Sequence, residues 1–236
     1  MRRNTKRKSH KIGAVVALLF AVLIYIFIAN NITFISHVTL PSFSSITHNV
    51  ASADHDWNLI LVNSSNYIPD DYEVELTELS NGEKVDSRIY PELQGMFNAA
   101  RAEGYGLFVA AGYRTQEKQQ QLLDDKIVAY EKEGYSKSEA ERLAKQWVAV
   151  PGTSEHQLGI AVDINADTTK SSSDEVYNWL AQNAYKYGFI KRYSSDKTEI
   201  TGVINEPWHY RYVGKEAAQE IYSQGICLEE YIQELE

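Results

Sequence analysis

Residues 57–236 are expected to fold as an α+β domain: a small, mostly antiparallel sheet flanked by helices, placed after an N-terminal transmembrane helix. Three observations predict this. Short apolar runs and stretches of helical periodicity follow one another without the regular βαβ alternation that a parallel sheet requires. Two Ser-x-x-Glu spacings, Ser136/Glu139 and Ser172/Glu175, have the form of capping boxes ahead of helical segments. The stretch from Asp54 to Glu236 is long enough for one domain with a sizeable core.

Residues 1–11 form a basic tail holding Arg2, Arg3, Lys6, Arg7, Lys8 and Lys11. Residues 12–29 are an uncharged run rich in Val, Leu, Ile, Phe and Ala, near the lower length limit for a membrane-spanning helix. Positive residues on one flank keep that flank in the cytoplasm, so the remainder is expected outside. The competing reading is a cleaved signal peptide. Its best small-residue site, Ala51-Ser52-Ala53, lies far beyond the end of the apolar run at Ala29, which favours an uncleaved anchor. Residues 30–56 are rich in Ser, Thr and Asn, carry no Lys or Arg, and read as a stalk.

Within the domain, Trp57–Val62 reads as a first strand or a buried extended segment, and 63–71 has turn chemistry. Ile89–Glu103 has helical spacing and leads to a strand at Leu107–Ala111, ended by Gly112. Thr115–Lys132 is a second helix with Leu123, Ile127 and Tyr130 on one face. The box at Ser136 opens a third helix to about Trp147, and Pro151-Gly152 breaks it. Gly159–Ile164 is a strand. Ser172 opens a helix whose inner positions are Val176, Leu180, Ala184 and Tyr187, and Gly188 can close it. Trp208–Val213 is a strand, and Lys215–Gln224 and Leu228–Leu235 are terminal helices.

The sole cysteine, Cys227, excludes an internal disulfide. All the basic residues that precede Asp54 also precede Ile12. From Asp54 onward 17 Lys and Arg therefore face 32 Asp and Glu, a formal net of −15. Such a domain lacks the basic footprint that nucleic acid requires.

Two segments combine residues of unusual chemistry. Ser154-Glu155-His156-Gln157-Leu158-Gly159-Ile160-Ala161-Val162-Asp163-Ile164, read as a loop entering a strand, puts Ile160, Val162 and Ile164 on a core face. Gly159, Ala161 and Asp163 then share the other face, where two minimal side chains leave room above a carboxylate. An unpaired buried Asp is costly, and a metal ion resolves the conflict. The second segment, Asn205-Glu206-Pro207-Trp208-His209-Tyr210-Arg211-Tyr212-Val213, places His209, Arg211 and Val213 on one face. His156, Asp163 and His209 give two imidazoles and a carboxylate, three ligands with an open position, which is the pattern of catalytic zinc. Zinc brings water toward neutral pKa. A carboxylate that is not a ligand can take the water's proton, and Glu206 fits. Arg114 is the candidate donor to the developing oxyanion, with Arg192 and Arg211 as rivals. The bland reading is that each His packs in the core or lies on the surface.

At these residues the sequence resembles the VanY-type D-alanyl-D-alanine carboxypeptidases of the LAS metallopeptidase group. The pattern Ser-x-His-x-x-Gly-x-Ala-x-Asp is matched by Ser154, His156, Gly159, Ala161 and Asp163. Glu-x-Trp-His is matched by Glu206, Trp208 and His209, and Gly-Tyr-Arg with a following Gln by Gly112, Tyr113, Arg114 and Gln119. The resemblance implies that His156, Asp163 and His209 hold Zn²⁺, that Glu206 is the base, that Arg114 polarises the scissile carbonyl, and that Ser154 and Gln119 position the substrate. It implies hydrolysis of the C-terminal D-amino acid of peptidoglycan stem peptides. In an acidic domain a terminal carboxylate needs a local donor, for which Arg211 or Arg192 is expected. An L,D-carboxypeptidase acting on tetrapeptide stems, a D,D-dipeptidase and a catalytically silent wall-binding module are the alternatives.

Overall fold

The structure is a computed structural model that describes residues 57–236. The basic tail, the apolar run 12–29 and the stalk with His55 lie outside the described residues. Among the described residues, no helix is long and apolar enough to cross a membrane.

A four-stranded antiparallel sheet carries the domain. It is built from β3 (Leu107–Ala111), β4 (Ala161–Ala166), β5 (Phe189–Lys191) and β6 (His209–Tyr212), in the spatial order β3-β4-β6-β5. A separate hairpin, β1 (Leu76–Glu78) and β2 (Lys84–Asp86), precedes it. The α+β expectation therefore holds. The hairpin strands and β5 are too short for a periodicity to announce them in the sequence.

One face of the sheet is apolar. Val109, Val162, Ile164, Phe189 and Tyr210 join a single core with the inner sides of α1 (Tyr90–Ala102) and α4 (Ser173–Asn183). Helix α1 contributes Leu93, Met96, Phe97 and Ala100, and α4 contributes Val176, Trp179 and Leu180. Fully burying each large apolar side chain contributes about 1.5–3 kcal/mol. The Ser172/Glu175 box that opens α4 is complete in both directions. Beyond the short α5 (Thr198–Thr201), a second cluster joins Ile190 and Val213 to α6 (Lys215–Gln224) and α7 (Leu228–Leu235) through Ala218, Ile221, Leu228 and Tyr231.

Helices α2 (Gln116–Lys132) and α3 (Lys137–Ala144) pack on each other. Thr115 caps α2 by accepting from the Lys118 N–H, and Ser136 caps α3 through the Glu139 N–H. Helix α3 stops at Ala144, short of Trp147. The next residues tighten into turns, with the Trp147 N–H donating to the Ala144 carbonyl, and the indole is half exposed. Trp57–Val62 is neither a strand nor a buried extended segment: Trp57–Leu59 form a turn, and all but the buried Val62 are half-buried, with Leu59 and Leu61 against the second cluster and Trp57, Ile60 and Val62 against the first.

Strand β4 begins at Ala161, later than the expected Gly159. Gly159 has φ +74° and ends a 3-10 turn, Glu155–Leu158. A Cβ there would meet Val74 Cγ2 at 3.1 Å and the Asp86 amide nitrogen at 3.2 Å. The room left by Gly159 is thus filled by β2, whose Asp86 N–H donates to the Gly159 carbonyl at 2.8 Å. Only Ala161 opens space beside Asp163.

Candidate active site

The sheet itself brings the first two candidate ligands together. Asp163 on β4 lies directly opposite His209 on β6, and directly opposed residues have Cβ atoms about 4.5–5.5 Å apart on one face. His209 Nδ1 is 3.0 Å from Asp163 Oδ1. His156 arrives from the 3-10 turn, with Nε2 3.3 Å from the same oxygen. Its orientation is fixed by Gly112 at the end of β3. A side chain at Gly112 would collide with the Lys84 carbonyl, so glycine alone allows this backbone approach. The Gly112 carbonyl is 2.8 Å from His156 Nδ1. A carbonyl only accepts, so Nδ1 carries the proton and Nε2 presents a lone pair.

His209 is fixed from its other side. Its Nε2 is 3.5 Å from Glu155 Oε2. Glu155 is fully buried. Burial raises its pKa, but Arg192 and Arg211 overcome this and hold the carboxyl well below the usual range. An ionised carboxylate only accepts, so Nε2 donates to Glu155; Nδ1 faces the ionised Asp163, and once it gives up its proton its lone pair is presented to a cation there. His156 Nε2 and His209 Nδ1 therefore converge on one carboxylate oxygen, and the three candidate ligand atoms lie within 4.8 Å of one another. With metal–ligand bonds near 2.0–2.1 Å, tetrahedral ligands stand roughly 3.3 Å apart, and the two contacts to Asp163 match this. The donor set fits Zn²⁺. Without a cation the arrangement demands a proton. Burial opposes it on His209, yet the hydrogen bonds to Asp163 and Glu155 prevail and push that imidazole up to about 9.

The other candidates surround this centre. Arg114 donates from Nη2 to Asp163 Oδ2 at 3.0 Å, while its backbone N–H donates to the His156 carbonyl. Glu206 Oε2 stands 3.8 Å from His209 Nδ1. Its carboxylate accepts no hydrogen bond from the described residues, and burial raises its pKa. Ser154 and Gln119 are both buried at the wall of a cavity of about 670 Å³ that also receives the three ligands, Arg114 and Glu206. Gln119 donates to the Ala149 carbonyl at 2.8 Å, which leaves its Oε1 without a partner. From the ligands the cavity extends along α2 and the segment after α3, past Leu122, Lys126, Trp147 and Val148, with Tyr67 on another wall.

Arg211 requires a correction. It shares the His209 face, as expected, but it is fully buried and does not line the cavity. It donates to the carbonyls of Asn58, Ile60 and Tyr212, and its Nη1 is 3.1 Å from Glu155 Oε1. Arg192 is equally buried, held by Glu155 and Glu229. Neither guanidinium can meet a substrate carboxylate or an oxyanion. Glu155 stands inside the Ser154–Asp163 pattern beside His156, but no spacing in the sequence marks it as a partner of His209. Tyr193, whose ring lies 4.9 Å from that of His209 at the cavity wall, also carries no sequence signal.

The family model for VanY, D-alanyl-D-alanine carboxypeptidase, matches residues 82–215. A D-alanyl-D-alanine carboxypeptidase of Enterococcus faecalis is 62% identical over 179 residues, covering 76% of this chain and 67% of its own length. The chain belongs to the VanY family of D-alanyl-D-alanine carboxypeptidases. Among solved structures, a VanY D,D-pentapeptidase from a VanB-type vancomycin resistance cassette, in complex with Zn(II), is 62% identical. It superposes with a TM-score of 0.73, covering 75% of this chain and 99% of that one. The LD-carboxypeptidase LdcB is 36% identical with a TM-score of 0.60, covering 76% of this chain and 88% of that one. The chain is thus an enzyme, a metallocarboxypeptidase of this family.

Proposed function

We propose that this enzyme uses Zn²⁺, held by His156 Nε2, Asp163 Oδ1 and His209 Nδ1, to remove the C-terminal D-alanine from peptidoglycan stem peptides. The observation that carries this reading is the convergence of two imidazole nitrogens on one carboxylate oxygen, beside a carboxylate that accepts no hydrogen bond from the described residues. When bound, zinc supplies Lewis acidity, which makes water nucleophilic near neutral pH and polarises a carbonyl.

The chain's own residues do the rest. Glu206, made more basic by burial, takes the proton of the attacking water and hands it to the nitrogen of the departing D-alanine. Arg114 is anchored on Asp163 Oδ2, and its other N–H groups serve the oxygen of the scissile carbonyl. Gln119 Oε1, an acceptor with no partner, suits a peptide N–H, and Ser154 supplies a hydroxyl. With Arg211 and Arg192 withdrawn from the cavity, the terminal carboxylate is left to Ser154 and Arg114. The cavity is several times the volume of a dipeptide of two alanines, roughly enough for the distal residues of a stem along α2 and Trp147. The basic tail and the apolar run 12–29 support a single-pass membrane anchor with the catalytic domain outside the cell, where such stems are exposed.

The test is digestion of a pentapeptide stem, a tetrapeptide stem and free D-Ala-D-Ala at equal concentration, with mass spectrometry of the products. The expected result is loss of one residue from the pentapeptide, with slower cleavage of the dipeptide. Cleavage of the tetrapeptide alone would establish L,D specificity, and preference for the dipeptide would establish a dipeptidase.

A further inference from the structure

The metal centre is connected to the C-terminal helix by a continuous buried chain of charges. Glu229, in the first turn of α7, grips the Arg192 guanidinium with both oxygens, Oε1 accepting from Nη2 at 2.6 Å and Oε2 from Nη1 at 2.8 Å. The third donor of Arg192, Nε, goes to Glu155 Oε1 at 2.7 Å. Arg211 Nη1 approaches that same oxygen, at 3.1 Å. With Oε1 accepting from Arg192 and facing the Arg211 charge, Oε2 is the oxygen left for His209 Nε2. The Arg192 backbone N–H also donates to the His209 carbonyl at 3.2 Å. Both arginine side chains and Glu155 are fully buried, and Glu229 is nearly so.

We propose that Glu229 is a positioning residue for the metal centre, acting through Arg192 and Glu155 on the Nε2–H of His209. Two effects carry it. A bidentate carboxylate holds the guanidinium plane in one orientation, and that plane sets where Glu155 Oε1 can sit. A carboxylate accepting the distal N–H of a ligating imidazole fixes its tautomer and raises the basicity of the ligating nitrogen. The charges also balance, since Glu155 and Glu229 match Arg192 and Arg211. Loss of the Glu229 charge leaves one buried positive charge in excess next to a centre that must accept a dication.

This inference rests on the zinc reading above, and its test separates the two. Zinc affinity of the full-length chain is measured by competition with a chromophoric chelator, alongside its melting temperature. Glu155→Gln should weaken zinc binding by about 10- to 100-fold, and Glu229→Gln, one link further out, by about 3- to 10-fold. Glu230→Gln is the control. Glu230 neighbours Glu229 on α7, accepts from the Cys227 N–H at 2.8 Å and pairs with Lys197, but it does not touch Arg192. It should lower the melting temperature without changing zinc affinity. If Glu229→Gln binds zinc as the wild type does, or if Glu230→Gln weakens binding equally, Glu229 only fastens the helix and the proposal fails. A wild-type chain that takes up no zinc overturns the metal reading and this one together.

Discussion

His209 divides the centre into a closed side and an open side, and each side presents it with a carboxylate. On the closed side, Glu155 is fully buried, accepts from Arg192, pairs with the Arg211 charge and faces the imidazole Nε2. On the open side, Glu206 faces the cavity and accepts no hydrogen bond from the described residues. Burial raises the pKa of both groups. For Glu155 the two guanidinium charges reverse that shift, whereas for Glu206 burial prevails. One functional group is thus held ionised in one place and pushed toward its protonated form in the other through its partners alone.

The most demanding challenge to this contrast lies on the open side. Glu206→Gln is nearly isosteric and cannot take a proton, so kcat should fall about 10²–10⁴-fold. Zinc stoichiometry and melting temperature should stay close to wild type. Metal analysis of the purified variant checks the assignment, because loss of zinc would make Glu206 a ligand.

On the closed side the effect should appear in stability instead. Arg211→Met leaves Glu155 with one guanidinium and strips the donor from the carbonyls of Asn58 and Ile60. Breaking a buried ion pair in this way costs about 3–5 kcal/mol. Denaturant unfolding should record that loss, while KM for a pentapeptide stem should barely change in the folded fraction. A large rise in KM at unchanged stability would return Arg211 to the substrate.

The smallest effect is expected at His209 itself, where the two sides meet. In chelated protein its pKa is about 9, above the value near 6.5 expected for an unfolded chain. A raised folded pKa contributes stability that is fully present below about 6.5 and is lost as pH rises through about 9. The chelated protein should therefore lose on the order of 1–3 kcal/mol between those limits. The zinc-loaded protein, with Nδ1 ligated, should not show this loss. Thermal melts with and without zinc across that range provide the check.

Much of this was legible in the sequence. The caps at Thr115, Ser136 and Ser172 and the apolar spacing after them set the starts of three helices, because helix nucleation is decided within a few residues. The Ser154–Asp163 and Glu206–His209 patterns contained His156, Asp163, His209 and Glu206, which the fold brings together, because strand alternation gives each residue's face. The hairpin at 76–86 stayed hidden, since its strands are very short and are held by long-range partners such as Gly159 and Gly112.

Which arginine serves which side was decided by tertiary structure alone. Alternation correctly puts Arg211 on the face of His209, but it says nothing of what covers that face further along the strand. There the segment 57–62 holds Arg211 inward, with the carbonyls of Asn58 and Ile60 as acceptors. The groups that make Glu155 an anchor, Arg192, Arg211 and Glu229, all come from elements far along the chain, on β5, β6 and α7 or beside them. Local propensity and periodicity act over a few residues and so specify elements and faces. The charge a buried group finds beside it is set by how those elements pack.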